Sequence, residues 1–326
     1  MKSQTKILVI GANGQLGTVL IGALQKKYGV ENVVGSDLTR KDNFYGIFEI
    51  ADATHQDRIQ ELVSKYQITQ IYHLAAILSA RGEENPLQTW EINMKTLFVV
   101  LEVSRRNAID KVFYPSSIAV FGNDAPLHQT PNNAYLNPAT VYGMSKAAGE
   151  NWAQYYFERY GLDVRSIRYP GVIGYQSLPG GGTTDYAVAI YHKAVLHEEF
   201  TCFLEKDTTL PMIFMADTIR ATLELMDAPK ERIKTRTSYN IAGVSFSPIE
   251  VVQEIRKLYP EFKVNFIPDF RQDIAASWPK SIDDSAAARD WGWKPEYDLK
   301  MITQTMIQKL KEKYKTGSRN LEISPC

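Results

Sequence analysis

Two cysteines in 326 residues, Cys202 and Cys326, stand far apart in sequence. They make neither a disulfide framework nor the clustered spacing of a metal centre, so a reducing, cytoplasmic compartment is expected and a metal is not. Net charge is missing as well: Lys plus Arg and Asp plus Glu are 37 each, which leaves no field to draw the chain to nucleic acid or to an acidic membrane surface. Long apolar runs are absent. The N-terminal run Ile7-Leu8-Val9-Ile10 stops at Gly11, too short for the core of a signal peptide, and no stretch approaches the ~20 apolar residues of a membrane span. The histidines lack HExxH or other zinc spacing, and His73 follows an apolar strand, where a structural role is expected.

What is present is the balance of a soluble globular protein, 44% apolar and 23% charged. The chain is longer than one hydrophobic core usually grows, which suggests a large α/β domain with a smaller companion. Short apolar runs at 6–10, 32–36, 46–50, 70–74, 111–115 and 163–169 alternate with amphipathic stretches at 15–27, 56–65, 86–106 and 141–160. That alternation builds a parallel sheet covered by helices on both faces. After about Gly174 the rhythm shortens, with helices expected at 185–195, 216–226, 248–258 and 282–290. The expected fold class is α/β: a Rossmann doubly wound parallel sheet over residues 1–174, completed by later segments, a smaller and mainly substrate-binding region over 175–315, and a flexible tail over 316–326.

Directly after the first strand comes Gly11-Ala12-Asn13-Gly14-Gln15-Leu16-Gly17, a GxxGxxG loop opening a helix. Glycines there permit the tight turn, the approach of a pyrophosphate and close helix–strand packing, and the phosphates meet free amides at the helix N-terminus. Asp37, 20 residues past Gly17 at the end of the second strand, is placed to accept both hydroxyls of an adenosine ribose and to repel a 2′-phosphate. The cofactor expected is NAD, with Asp52 after the third strand at the adenine edge.

Tyr142 and Lys146 lie four apart on an expected helix, so both leave one face. A phenol titrates near ~10, and a neighbouring ammonium favours its phenolate, which makes the pair a usable general base. At the end of the fifth strand Tyr114-Pro115-Ser116-Ser117 brings hydroxyls to the sheet edge where ligands of open α/β sheets bind. Ser117 is the preferred partner for the same substrate oxygen, with Ser116 its close rival.

With GxxGxxG, Asp37, His73-Leu74-Ala75-Ala76, Asn93, Ser117 and Tyr142-xxx-Lys146 in order, the chain resembles the extended short-chain dehydrogenase/reductase family. The resemblance implies that Leu74, Ala75, Ala76 and Asn93 join the glycine loop in holding NAD. Pro179-Gly180-Gly181-Gly182-Thr183-Thr184-Asp185-Tyr186, with Trp278-Pro279 and Asp290-Trp291-Gly292-Trp293, is similar to the L-threonine 3-dehydrogenase branch. It implies oxidation of L-threonine to L-2-amino-3-oxobutyrate, with Tyr142 taking the proton, hydride passing to NAD, and Lys146 at the nicotinamide ribose. A threonine carboxylate would suit the hydroxyls of Thr183 and Thr184 and the free amides of a helix start, Asp185 would answer the ammonium, Ser79 would touch the polar end, and Trp278 would act as an apolar lid. Trp152, Tyr155, Tyr156 and Tyr160 form an aromatic face, and the family resemblance implies a homodimer through the helices near 86–106 and 141–160. The enzymatic rival is a nucleotide-sugar epimerase or dehydratase, and the non-enzymatic one an NAD(H)-sensing binding protein.

Overall fold

The structure, a computed structural model, describes residues 4–42 and 44–315; the tail expected over 316–326 lies outside the described residues. Its first half runs β1 (Ile7–Ile10), α1 (Gln15–Tyr28), β2 (Val33–Asp37), β3 (Ile47–Ile50), α2 (Gln56–Tyr66), β4 (Gln70–His73), the single turn α3 (Ser79–Gly82), α4 (Pro86–Arg106), β5 (Lys111–Ser117), α5 (Val141–Tyr160), β6 (Val164–Tyr169) and β7 (Gly171–Ile173). The second half adds α6 (Tyr186–Val195), β8 (Phe200–Cys202), β9 (Leu210–Phe214), α7 (Met215–Asp227), β10 (Tyr239–Asn240), β11 (Val244–Phe246), α8 (Pro248–Arg256), β12 (Val264–Phe266), α9 (Arg271–Ala276), α10 (Ser285–Trp291) and α11 (Leu299–Lys315).

Seven strands form one wholly parallel sheet in the order β10-β6-β5-β4-β1-β2-β3, the doubly wound Rossmann arrangement. Strand order reverses between β1 and β4, and ligands of such sheets bind at that switch point beyond the strand ends. The period-2 alternation of strands sorts side chains into two layers. Leu8, Ile10, Val34, Ile71 and Val112 pack with Ile59, Leu62, Leu97 and Val100 of α2 and α4. Ile7, Val9, Val33, Phe113 and Ile167 pack on the other face with Leu20 and Leu24 of α1, Leu225 of α7 and Trp291 of α10. The chain past residue 174 therefore enters the sheet itself, through β10, and one of its covering layers.

A third core lies beyond the sheet, where Tyr191, Met212, Phe246, Val251, Ile255, Ile302 and Met306 meet Ile118 and Phe121. Arg165 of β6, fully buried, ties the sheet to α7: it pairs with Asp163 at 2.7 Å and donates to the carbonyls of Leu225 and Ala228 at 2.6 and 2.7 Å. These C-terminal helix carbonyls lack intrahelical partners, so the guanidinium satisfies them and meets the negative end of the helix.

Three features differ from the sequence reading. β5 extends through Ser117 because its ladder with β6 continues to the Ser117–Tyr169 pair. The helix expected over 282–290 starts at Ser285, since Ile282 bridges Thr130 and the Asp283 carboxylate accepts from the Ser285 amide at 2.9 Å. The unanticipated α11 buries Ile302, Met306 and Leu310 against α6 and α8; lysines and glutamines on its outer face dilute the apolar pattern. Among the described residues no helix is long and apolar enough to cross a membrane.

Candidate active site

Two cavities, each of about 260 Å³, open beyond the strand ends and share Gly11, Gly14, Leu74 and Ala76. Their common edge is the glycine loop, whose shape leaves no choice of residue at its last position: a Cβ on Gly17 would stand 2.3 Å from the Gly11 carbonyl oxygen. The first turn of α1 carries no acidic side chain, so the positive end of its dipole faces the cavities unanswered. At the tip of β2, Asp37 lines the second cavity and its carboxylate accepts from the amides of Asn13 and Leu38 at 2.9 and 2.8 Å. Asp52 lines the same cavity and is fixed by the Thr54 amide at 2.8 Å, which holds its pKa below the ordinary carboxylate value. An anion-seeking helix end, a close-packed glycine loop and a ribose-height carboxylate in one cleft fit a dinucleotide.

Gln15, Leu16, Leu74, Ala75 and Ala76 line one or both cavities. Asn13 and Asn93 do not, and each has a different task. Asn13 donates to the Thr39 carbonyl at 2.5 Å while Lys41 donates to the Asn13 carbonyl at 2.8 Å, clasping the turn after β2 onto the glycine loop. Asn93, buried, accepts from the Ile77 amide at 2.8 Å and donates to the Ile77 carbonyl and the Ser145 hydroxyl, both at 3.2 Å. Its amide holds the loop after β4 to α5.

The other cavity gathers Ser79, Ser117, Tyr142, Lys146, Thr184, Asp185 and Trp278. Thr140 caps α5, accepting from the Gly143 amide at 3.1 Å. A Cβ on Gly143 would stand 2.1 Å from the Ala119 carbonyl oxygen, so only glycine lets the helix start sit on the turn after β5 and bring Tyr142 to Ser117. Lys146 donates to the Pro115 carbonyl at 2.7 Å. The two serines separate cleanly: Ser116 donates to Glu150 at 2.5 Å, whereas Ser117 accepts from the Ala119 amide at 3.1 Å and keeps its own proton for the cavity.

Burial governs the charges. It pushes the Tyr142 phenol up to about 12, against the pull of the Ser117 hydrogen bond, and draws the Lys146 ammonium down to about 7, against the attraction of Glu150. The lowered tyrosine expected from a neighbouring ammonium meets an opposing effect that spacing does not show, the desolvation of the phenol. His73 is also buried, stacks on Tyr114 and is held neutral, with its pKa drawn down to about 3 by burial.

The opposite wall comes from two loops. Ser79, at the start of α3, lies 3.4 Å from Thr183, hydroxyl to hydroxyl. Asp185, expected to answer an ammonium, also binds its own loop: one carboxylate oxygen accepts from the amides of Gly180, Gly181 and Gly182, each at 2.8 Å. Trp278 is buried beside the cavity, yet its indole N–H has no partner among the described residues, which gives the expected apolar lid a polar edge. Sequence reasoning missed the Pro115 carbonyl and Glu150; the latter was visible as an acidic residue one turn beyond Lys146.

Residues 7–242 match the NAD dependent epimerase/dehydratase family. An uncharacterized epimerase/dehydratase of Staphylococcus aureus (strain MRSA252) is 42% identical over 97% of this chain and 99% of its own length. Among solved structures, the holo form of a GalE-like L-threonine dehydrogenase from Cupriavidus necator is 49% identical with a TM-score of 0.93, covering 94% of this chain and 100% of its own. The apo form of a monomeric L-threonine 3-dehydrogenase from a metagenome is 46% identical with a TM-score of 0.91, covering 94% and 99%. Agreement along nearly the whole length, on a sheet whose nucleotide cleft is intact, leaves one conclusion: this chain belongs to the NAD dependent epimerase/dehydratase family and is an enzyme whose cofactor is NAD.

Proposed function

We propose that the chain oxidises the side-chain hydroxyl of L-threonine to L-2-amino-3-oxobutyrate. The observation that carries this reading is the facing of two hydroxyl sets across one cavity: Ser117 and Tyr142 on the sheet side, Ser79, Thr183 and Thr184 on the loop side. At about 260 Å³, with the nicotinamide end also to be housed, the space suits an amino acid better than a second nucleotide.

In this reading residues 1–174 with the later strand β10 carry the cofactor and 175–315 mainly build the substrate wall. The glycine loop and the start of α1 hold the pyrophosphate, Asp37 the adenosine ribose, and Lys146 the nicotinamide ribose. Bound NAD supplies the hydride acceptor and a positive charge. Tyr142 acts as its phenolate, a form that the positive charges of NAD and Lys146 favour against the upward push of burial. The phenolate oxygen receives the substrate hydroxyl proton, and Ser117 donates to the same substrate oxygen and orients it. Lys146, anchored by one bond to Pro115, keeps further N–H donors for its neighbours. Thr184, Ser79 and the unpaired Trp278 N–H take the carboxylate, while Asp185 keeps their loop closed.

A homodimer belongs to the same proposal. Trp152, Tyr155 and Tyr160 on α5 are 38–46% exposed, and Leu87 and Trp90 on α4 are exposed as well; exposed aromatic surface of this kind marks an interface. The free, buried Cys202 thiol suits the cytoplasm. Appearance of NADH on mixing the protein with NAD and L-threonine tests the assignment. Turnover of a UDP-sugar without NADH release would replace it with epimerase chemistry.

A further inference from the structure

Glu150 stands one turn beyond Lys146 and two beyond Tyr142, so the three side chains leave one face of α5. Each meets the end of β5: Tyr142 faces Ser117, Lys146 donates to the Pro115 carbonyl at 2.7 Å, and Glu150 accepts from the Ser116 hydroxyl at 2.5 Å. Glu150 is fully buried. Its charge is answered by Arg168 of β6, whose Nε and Nη2 reach the two carboxylate oxygens at 2.8 and 2.6 Å. Arg168 neighbours Ser116 in one register and Asn240 of β10 in the next. Its Nη1 continues to the Asn132 carbonyl at 2.7 Å and the Asn240 side chain at 3.2 Å, and Asn240 donates to the carbonyls of Thr130 and Asp283. A buried polar chain thus runs from the reacting helix to the segment just past Trp278.

Such a pair is a weak stabiliser, since apolar replacements of buried ion pairs are often neutral or better. What it does have is a position. Lys146 is 4% exposed, and burial works against its charge. The titratable groups that face it are Tyr142 and Glu150 from α5, Tyr114 from β5 with its ring 4.5 Å from the ammonium, and neutral His73 from β4. Only Glu150 in that set brings a full negative charge. Glu150 in turn faces Arg168, Ser116 and Tyr114.

We propose that Glu150 is a positioning residue for the Tyr142/Lys146 pair: its carboxylate, paired with Arg168 and aimed by Ser116, holds the Lys146 ammonium charged in a dry site and sets the alkaline limit of activity. Its consequence for turnover rests on the dehydrogenase reading above. Its consequence for Lys146 does not.

The test therefore reads Lys146 directly. Lysines are labelled with 13C at Cε, the Lys146 signal is assigned by Lys146→Arg, and its titration is followed in the NAD-free protein. An opposite charge within ~4–6 Å moves a titration by roughly 1–3 units, and the Glu150 charge acts on Lys146 in the upward direction. In Glu150→Gln the Lys146 midpoint is expected to fall by about one unit or more, and the alkaline limb of kcat/KM for L-threonine to fall with it. Glu150→Asp restores the charge and is expected to return the midpoint toward the parent, which a merely structural role would not do. Because Glu150→Gln strands Arg168 as a buried unpaired cation, Glu150→Gln/Arg168→Met is titrated alongside, with a fall in the same direction expected. An unchanged midpoint in a folded variant overturns the proposal. A parent protein that titrates as expected but does not oxidise threonine overturns the functional reading alone.

Discussion

Ser79 and Thr183 bring their hydroxyls within 3.4 Å of each other from positions 104 residues apart in sequence. One rides on the turn after β4, the other on the loop before α6, so the substrate wall exists only where the two loops meet. A hydrogen bond to a charged group is worth about 1.5–3 kcal/mol. Ser79→Ala is therefore expected to raise KM for L-threonine by roughly 10- to 100-fold with kcat nearly unchanged, the pattern of lost uniform binding. Steady-state kinetics at saturating NAD check this, and an unaltered KM would remove Ser79 from the site.

Tyr142→Phe deletes one oxygen from a half-buried ring and leaves the glycine loop untouched. Positioned proton transfer contributes about 10²–10⁴ in rate, so turnover should drop by that order. NAD affinity, measured calorimetrically, should stay within a few-fold. Retained turnover would show that another group takes the proton.

Asp185 holds the three glycine amides through one oxygen. Removing it in Asp185→Ala leaves a run of glycines with no internal acceptor, and glycine loops carry the largest backbone entropy. The expected result is faster proteolysis within 177–184 and a KM for threonine raised about 10-fold or more, with NAD affinity little changed. A direct ammonium contact would instead leave the cleavage rate of the substrate-free protein as it was.

His73 gives an acid limb to stability. Burial first, then the nearby Lys146 charge, draws its pKa from 6.5 to about 3. Between those values the unfolded chain binds a proton that the native protein refuses, so stability falls as pH drops from 6.5 toward 3, by ~1.4 kcal/mol per pH unit. In His73→Leu this slope disappears. Urea unfolding of both proteins across that range should show the parent losing ground to the variant; parallel curves would mean that His73 takes up its proton in the folded state.

Much of this was legible in the sequence because local chemistry and global fold agree there. The GxxGxxG turn, Asp37 and the alternation of apolar runs all announce one sheet, and Tyr142 and Lys146 share a helix face by spacing alone. What escaped was decided by distance. The hold of the Asn93 amide on Ile77 is one such case; no spacing rule reveals a partner chosen by tertiary packing. Asp185 reads as a ligand or a cap, and only the path of the glycine loop shows three amides converging on it. Tyr142 carries the same lesson in energy, since its neighbour argued for a low pKa and its burial, invisible in sequence, produced a high one.

The most direct test of the account follows the bond that breaks. L-Threonine deuterated at C3 is mixed with the protein and NAD, and the reduced cofactor is analysed by mass spectrometry. The account predicts one deuterium in each NADH formed, released over many turnovers, with 2-amino-3-oxobutyrate free of label. Unlabelled NADH, or no NADH at all from active, NAD-bound protein, would contradict it.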